Sequence, residues 1–216
     1  MKAWTKKFIA LAREVGALKF GRFELKSGRI SPYFFNAGAF CDGAAIDALA
    51  DCYADAIVAA MNEQGLEFDL IFGPAYKGIP LAATVAASLH RRHGVNVPVA
   101  YNRKEAKDHG EGGQLVGAAV TGRVLVIDDV LSAGTAFGQA REMVEAGGAR
   151  VIALAVGLDR QERGSTEASA GAELQRRGIA LIAVAQMADL ITDLRKENSG
   201  PELLSDMLEY RENYGA

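Results

Sequence analysis

Asp128 and Asp129, followed at once by the small-residue stretch Val130 to Ala136, are residues whose types and spacing suit chemistry. Adjacent ionised carboxylates accept hydrogen bonds from vicinal hydroxyls. Four apolar residues, Val124 to Ile127, precede them, and such a continuous run suits a strand buried on both faces of a parallel sheet. Open α/β sheets bind ligands at the carboxyl ends of their strands. Beyond the acids, Ser132 and Thr135 offer hydroxyl donors, while Ala133 and Gly134 let the backbone close on an anion. An amphipathic helix carrying Phe137, Ala140 and Val144 begins there, and its free amides and dipole favour a phosphate. A bare Asp pair ahead of an ordinary turn would be a solvated strand cap. The apolar run before it and Ser-Ala-Gly-Thr after it argue for more.

A loop that holds a phosphate at its amide end and a diol at its acidic end describes ribose 5-phosphate. The stretch lacks the lysine of a nucleotide-triphosphate P-loop. A second strand, Asp69 to Phe72, runs into Gly-Pro-Ala-Tyr-Lys-Gly-Ile-Pro, a constrained turn again at a strand's carboxyl end. Lys77 in that turn suits a phosphate as a point charge, and taken alone reads equally as a surface charge. A third strand, Val97 to Tyr101, leads into a stretch with Arg103, Lys104, Lys107 and His109, then Gly110, Gly112 and Gly113. No apolar periodicity runs through it, which predicts a mobile loop, and long loops of this kind in compact domains are often lids. Arg160 follows a further buried strand, Val151 to Val156, where it either grips a planar partner or pairs with Asp159 at the surface. Phe34 and Phe35 are adjacent on extended backbone, so one is expected to be buried and the other to meet a ligand.

The elements that must position these residues alternate between strand and helix. Trp4, Phe8, Ile9, Leu11 and Val15 share one face of a first helix, and Leu18 to Phe20 and Phe23 to Leu25 read as short strands. Ile46, Leu49, Tyr53, Ile57 and Met61 space out a long helix, and Leu81, Val85 and Leu89 another. A helix over Ala172 to Arg177, a strand over Ile179 to Val184 and two short helices from about Asp189 complete the chain. This alternation calls for an α/β protein with a doubly wound, mostly parallel sheet. At 216 residues one domain is expected. A formal charge of −3 gives no electrostatic support for nucleic-acid binding. Cys41 and Cys52 are too few for a disulfide framework, lack metal-ligand spacing, and are expected to be buried or half-buried thiols in a reducing compartment. No apolar run approaches membrane-spanning length, and the first residues are too amphipathic for a signal peptide, so the expected location is cytoplasmic, away from membranes.

Taken together, LKSGRISPYFFNAG, FGPAYKGIP, RKEAKDHGEGG, VLVIDDVLSAGTA and the Asp159-Arg160 pair resemble the orotate phosphoribosyltransferase family. The central motif is shared by many type I phosphoribosyltransferases and points to their cosubstrate. The Ser-Pro-Tyr-Phe-Phe-Asn segment and the lid pattern point to orotate. The resemblance implies the type I phosphoribosyltransferase fold as one domain over 1–216, with a small hood built mainly from about residues 1–40. It implies transfer of the 5-phosphoribosyl group from 5-phosphoribosyl 1-pyrophosphate to orotate, giving orotidine 5′-monophosphate and pyrophosphate. Mg²⁺ would take part, bound mainly through substrate and water, with no protein metal site of its own.

Carried over by motif, Lys26, Tyr76, Lys77, Arg103, Lys104, Lys107 and His109 contact the cosubstrate, and Lys107, Lys77 and Arg103 supply the catalytic positive charge. Asp128, Asp129, Val130, Leu131, Ser132, Ala133, Gly134, Thr135 and Ala136 hold its ribose and 5′-phosphate. Phe34, Phe35, Ser132 and Arg160 hold orotate; Ser132 stands where Thr is more familiar, with the hydroxyl kept. The resemblance further implies a cis peptide at Ala75–Tyr76. It also implies a homodimer in which Lys107, Arg103 and His109 cross to the partner's site. Two alternatives stay open: a phosphoribosyltransferase for another base, and a non-catalytic regulator that binds the sugar pyrophosphate.

Overall fold

The computed structural model describes residues 1–25, 28–107, 113–132, 134–163, 168–197 and 201–216, with the backbone alone described at 104–107, 113 and 197. The chain opens with helix α1 (Ala3–Glu14) and an antiparallel pair, β1 (Leu18–Glu24) and β2 (Ile30–Phe35). The two short strands expected before residue 26 are one strand, interrupted by an irregularity between Phe20 and Phe23. Helix α2 (Gly43–Gln64) follows, started by Asp42, whose side chain accepts the Ala45 amide at 2.8 Å.

Alternation then begins with β3 (Leu70–Gly73), α3 (Gly78–His93), β4 (Val99–Lys107) and β5 (Gly113–Gly117). It continues with β6 (Arg123–Leu131), α4 (Thr135–Ala146), β7 (Arg150–Asp159), α5 (Ala170–Arg176), β8 (Ala180–Gln186), α6 (Met187–Glu197) and α7 (Pro201–Tyr214). Six strands form one sheet in the order β5-β4-β3-β6-β7-β8. Every neighbouring pair is parallel except β4 and β5. From β3 the chain proceeds outward to β4 on one side, then returns to place β6 on the other. The crevice of this doubly wound sheet therefore opens between the carboxyl ends of β3 and β6.

Strand alternation splits the core into two layers. Leu125 and Ile127 join the cluster of α1, α2 and α3, with Phe8, Ile57 and Val85. Val124 and Val126 join Phe137, Ala140 and Val144 of α4 and Leu174 of α5. Both faces of β6 are covered, which is why its apolar residues run without a break. Asp51 of α2 ties α3 down, accepting Ser88 Oγ at 2.7 Å, Arg91 Nη2 at 2.8 Å and Arg92 Nη1 at 2.7 Å.

Three further expectations need correction. Val130 and Leu131 are strand residues and not turn, because they continue the parallel pairing of β6 with Leu158 and Asp159 of β7. The stretch after Tyr101 is not an unstructured loop from its start. Asn102 pairs with Leu115, and Lys107 with Gly113, in an antiparallel edge hairpin whose backbone bonds need no apolar alternation. Residues 108–112 lie outside the described ones. Cys52 is buried as expected, whereas Cys41 is exposed.

Candidate active site

The loops after β3 and β6 meet across the crevice. After β3 the chain passes through Pro74 to Lys77 into α3, and the Ala75–Tyr76 peptide is cis, as the resemblance implies. The Ala75 amide donates to Asn102 Oδ1 of β4 at 2.9 Å, so a neighbouring strand holds the loop. Gly73 and Gly78 make its close approach possible. A Cβ on Gly73 would collide with the Gly78 carbonyl oxygen and stand 2.7 Å from Ala82 Cβ, and one on Gly78 would stand 2.6 Å from Pro74 Cδ. Tyr76 is left 66% exposed at the loop's outer edge.

Lys77 is not a free point charge. Its Nζ pairs with Asp129 Oδ2 across the crevice at 2.7 Å. Asp129 is nearly buried and Asp128 half-buried, and the Asp129 amide donates back to Asp128 Oδ1 at 2.9 Å. Beneath the pair, the buried Tyr53 hydroxyl of α2 donates to the Asp128 carbonyl at 2.8 Å, fixing the strand end from below. Burial, and next the Asp129 carboxylate, push the Asp128 pKa up to about 6.

Asp128, Val130, Ser132, Gly134 and Thr135 line a cup of about 240 Å³ at the start of α4. It adjoins a cleft of about 580 Å³ walled by Lys77, Arg103, Gln114, Asp128 and Asp129. One end thus offers helix amides and hydroxyls to an anion, the middle offers carboxylates to hydroxyls, and the far end offers cations. Arg103 borders the cleft of its own chain. Lys26, His109 and Ala133 lie outside the described residues, as do the side chains of Lys104 and Lys107.

Arg160 reaches the site by its backbone, whose amide donates to the Leu131 carbonyl at 3.1 Å, one residue before Ser132. The residue is 6% exposed, and the surface pair with Asp159 is not formed. Nε donates instead to Glu162 Oε1 at 2.7 Å, and the guanidinium lies 4.4 Å from the Tyr33 ring centre. The Tyr33 hydroxyl, buried beside this group, has no hydrogen-bond partner among the described residues. Phe34 and Phe35 divide as alternation demands. Phe34 is exposed against Phe23, and Phe35 packs with Phe8 and Phe40. Tyr53, Asn102 and Glu162 were not foreseen. Asn102, a polar residue directly after an apolar strand start, is the one of the three whose position gave a signal.

The model of the family described as Phosphoribosyl transferase domain matches residues 45–170, which include both loops and the strands that carry them. Fold and site are those of a phosphoribosyltransferase. The chain is 50% identical over 216 residues to an orotate phosphoribosyltransferase of Thioalkalivibrio sulfidiphilus and 48% identical to one of Vibrio parahaemolyticus, with complete coverage of each protein. The crystal structure of the orotate phosphoribosyltransferase of Francisella tularensis superposes with a TM-score of 0.84 at 38% identity, covering 97% of this chain and 99% of that one. The chain belongs to the orotate phosphoribosyltransferase family.

Proposed function

We propose that the protein transfers the 5-phosphoribosyl group from 5-phosphoribosyl 1-pyrophosphate to orotate, releasing pyrophosphate and orotidine 5′-monophosphate. The observation that carries this reading is the continuous cleft in which an amide-lined cup, an acid pair and Lys77 follow one another in the order of a phosphate, a ribose and a pyrophosphate. Full-length likeness to orotate phosphoribosyltransferases supports orotate as the acceptor.

The amides at the start of α4, with Ser132 and Thr135, anchor the 5′-phosphate. Asp128 and Asp129 accept from the ribose hydroxyls, which requires Lys77 to leave Asp129 and turn to the pyrophosphate. Displacement at C1′ passes through an oxocarbenium-like state, as in glycoside chemistry. Negative charge then grows on the departing pyrophosphate, where Lys77, Arg103 and Lys107 supply positive charge. Such groups are worth roughly 3–4 kcal/mol per lost donor in other enzymes. Arg160, Ser132 and the Phe34–Phe35 segment hold orotate in line, and Lys26, Tyr76, Lys104 and His109 complete the cosubstrate contacts.

Mg²⁺ belongs to this proposal. Among the described residues no cluster of three or more His, Cys, Asp or Glu could hold a metal, and Asp129 is engaged by Lys77. With both acids committed, the residues present fit a hard cation held mainly through phosphate oxygens and water, with no protein metal site of its own. When bound, the ion would neutralise pyrophosphate charge. Both substrates are anions that a bilayer excludes, which supports cytoplasmic catalysis, and no described helix is long and apolar enough to cross a membrane. We further propose one domain whose hood comes mainly from about residues 1–40, acting as a homodimer without nucleic-acid partners.

The test is loss of orotate absorbance with the sugar pyrophosphate, with and without Mg²⁺, beside uracil and adenine as competing acceptors. Orotate should be consumed with equal release of pyrophosphate and Mg²⁺ dependence. Turnover of another base in place of orotate would overturn the assignment. Gly73→Ala probes the β3 loop separately. Overpacking against Gly78 and Ala82 should cost about 1–3 kcal/mol in denaturant unfolding and raise the cosubstrate KM. Unchanged stability and KM would show that the close approach is dispensable.

A further inference from the structure

We infer that Glu162 is a positioning residue for base recognition, holding the Arg160 guanidinium so that one chosen nitrogen is presented to the acceptor. This rests on the reading that Arg160 grips orotate. Glu162 Oε1 accepts Arg160 Nε at 2.7 Å and also the Tyr210 hydroxyl of α7 at 2.8 Å. Arg160 Nη2 donates to Ser31 Oγ at 3.3 Å and to the Tyr210 hydroxyl at 3.4 Å. One edge of the planar fork is therefore used up, Nε on Glu162 and Nη2 on β2 and α7. Nη1 makes no hydrogen bond to any described residue, which leaves it for a planar or carboxylate-bearing partner.

Glu162 is itself held. It bridges to Gly215, the Arg163 amide donates to the Tyr214 carbonyl at 2.9 Å, and Arg29 Nη1 lies 3.7 Å from Glu162 Oε2. With 6% exposure at both Arg160 and Glu162, neither charge has enough water to reorient freely. A buried guanidinium without its acid would seek another geometry, because leaving the charge unpaired is costly. The hydroxyl of Tyr210, 50 residues away in sequence, thereby reaches the base site through a shared carboxylate oxygen.

A purely architectural ion pair tying β7 to α7 would look similar, so the experiment separates the two. Steady-state kinetics with both substrates are measured for Glu162→Ala, Glu162→Gln, Arg160→Ala and the double variant Arg160→Ala/Glu162→Ala. Glu162→Ala should raise the orotate KM about tenfold, the value of one charge-assisted hydrogen bond, and change the sugar pyrophosphate KM by less than about twofold. Glu162→Gln keeps an acceptor oxygen and should recover most of the loss. In the Arg160→Ala background, Glu162→Ala should add nothing to the orotate KM, because its effect runs through Arg160. Multiplying effects in the double variant would overturn the inference, as would an unchanged orotate KM in Glu162→Ala when Arg160→Ala raises it. An Arg160→Ala enzyme with normal orotate KM would instead remove the base assignment on which the inference rests. If Glu162→Ala does not fold, Tyr210→Phe decides. It removes one hydroxyl from Glu162 and should raise the orotate KM only when Arg160 is present; no rise counts against the inference.

Discussion

Asp128→Asn is expected to be more stable than the wild type at neutral pH and almost inactive. Burial first, and the Asp129 carboxylate second, raise the Asp128 pKa from 3.8 to about 6. Between those values the folded chain holds a proton that the unfolded chain has released. The resulting stabilisation is whole below the ordinary carboxylate pKa, is lost as pH rises through 6, and leaves the ionised group costing roughly 2–3 kcal/mol at pH 7. An amide of the same shape buries no charge. Melting curves should therefore show the variant's advantage widening by roughly 1 kcal/mol from pH 5 to pH 7, and a difference that stays flat would refute the cause assigned here. Activity moves the other way. Hydrogen bonds to a charged group are worth about 1.5–3 kcal/mol each, so losing the acceptor for the ribose hydroxyls should lower kcat/KM for the sugar pyrophosphate by about 100-fold or more. Wild-type kcat/KM should show an acid limb near pH 6 that the variant lacks. Instability is thus concentrated in the carboxylate to which the proposed function gives the ribose hydroxyls.

The central motif is legible in the sequence because every part of it is local. An unbroken apolar run, two acids and a small-residue turn stand within Val124 to Ala136, and β6 with α4 realises the order of these parts, with the strand running on through the acids to Leu131. The cis peptide at Ala75–Tyr76 follows from motif likeness alone. What stays hidden is what distant elements do to these residues. Lys77 and Asp129 are 52 residues apart, and nothing in either motif says that the lysine pairs with the acid. Tyr53 reads as one more apolar position of α2, yet its hydroxyl supports the Asp128 carbonyl 75 residues on. Arg160 shows most clearly why spacing misleads. Asp159 is its neighbour in sequence and the last residue of β7, yet the partners of Arg160 come from Glu162, Ser31 and Tyr210. The continuation of β4 past Tyr101 and its pairing with β5 escape detection for a different reason. The hairpin runs along the sheet edge, where main-chain pairing creates it without the apolar alternation that marks a strand in sequence.

Mixing two inactive variants should restore activity if the lid crosses between subunits. The resemblance implies that Lys107 serves the partner's site, whereas Asp128 lines the cleft of its own chain beside Lys77. A twofold dimer makes such an exchange twice, giving two composite sites, each with the acid pair of one chain and the lid of the other. Lys107→Ala and Asp128→Asn are prepared separately, shown to be folded dimers of very low activity, then dissociated together and reassembled. In each mixed dimer one site combines an intact Asp128 with an intact Lys107, and the other lacks both. Random reassembly makes about half of the dimers mixed, so activity should return to roughly a quarter of the wild type. The Asp128→Asn protein suits this experiment because its loss is one of chemistry and not of folding. If each lid closes over its own chain, no pairing repairs a site and the mixture stays as inactive as its parts. Recovery near a quarter that appears only after dissociation would assign Lys107 to the neighbouring subunit, since exchange of chains is the one event separating the two samples.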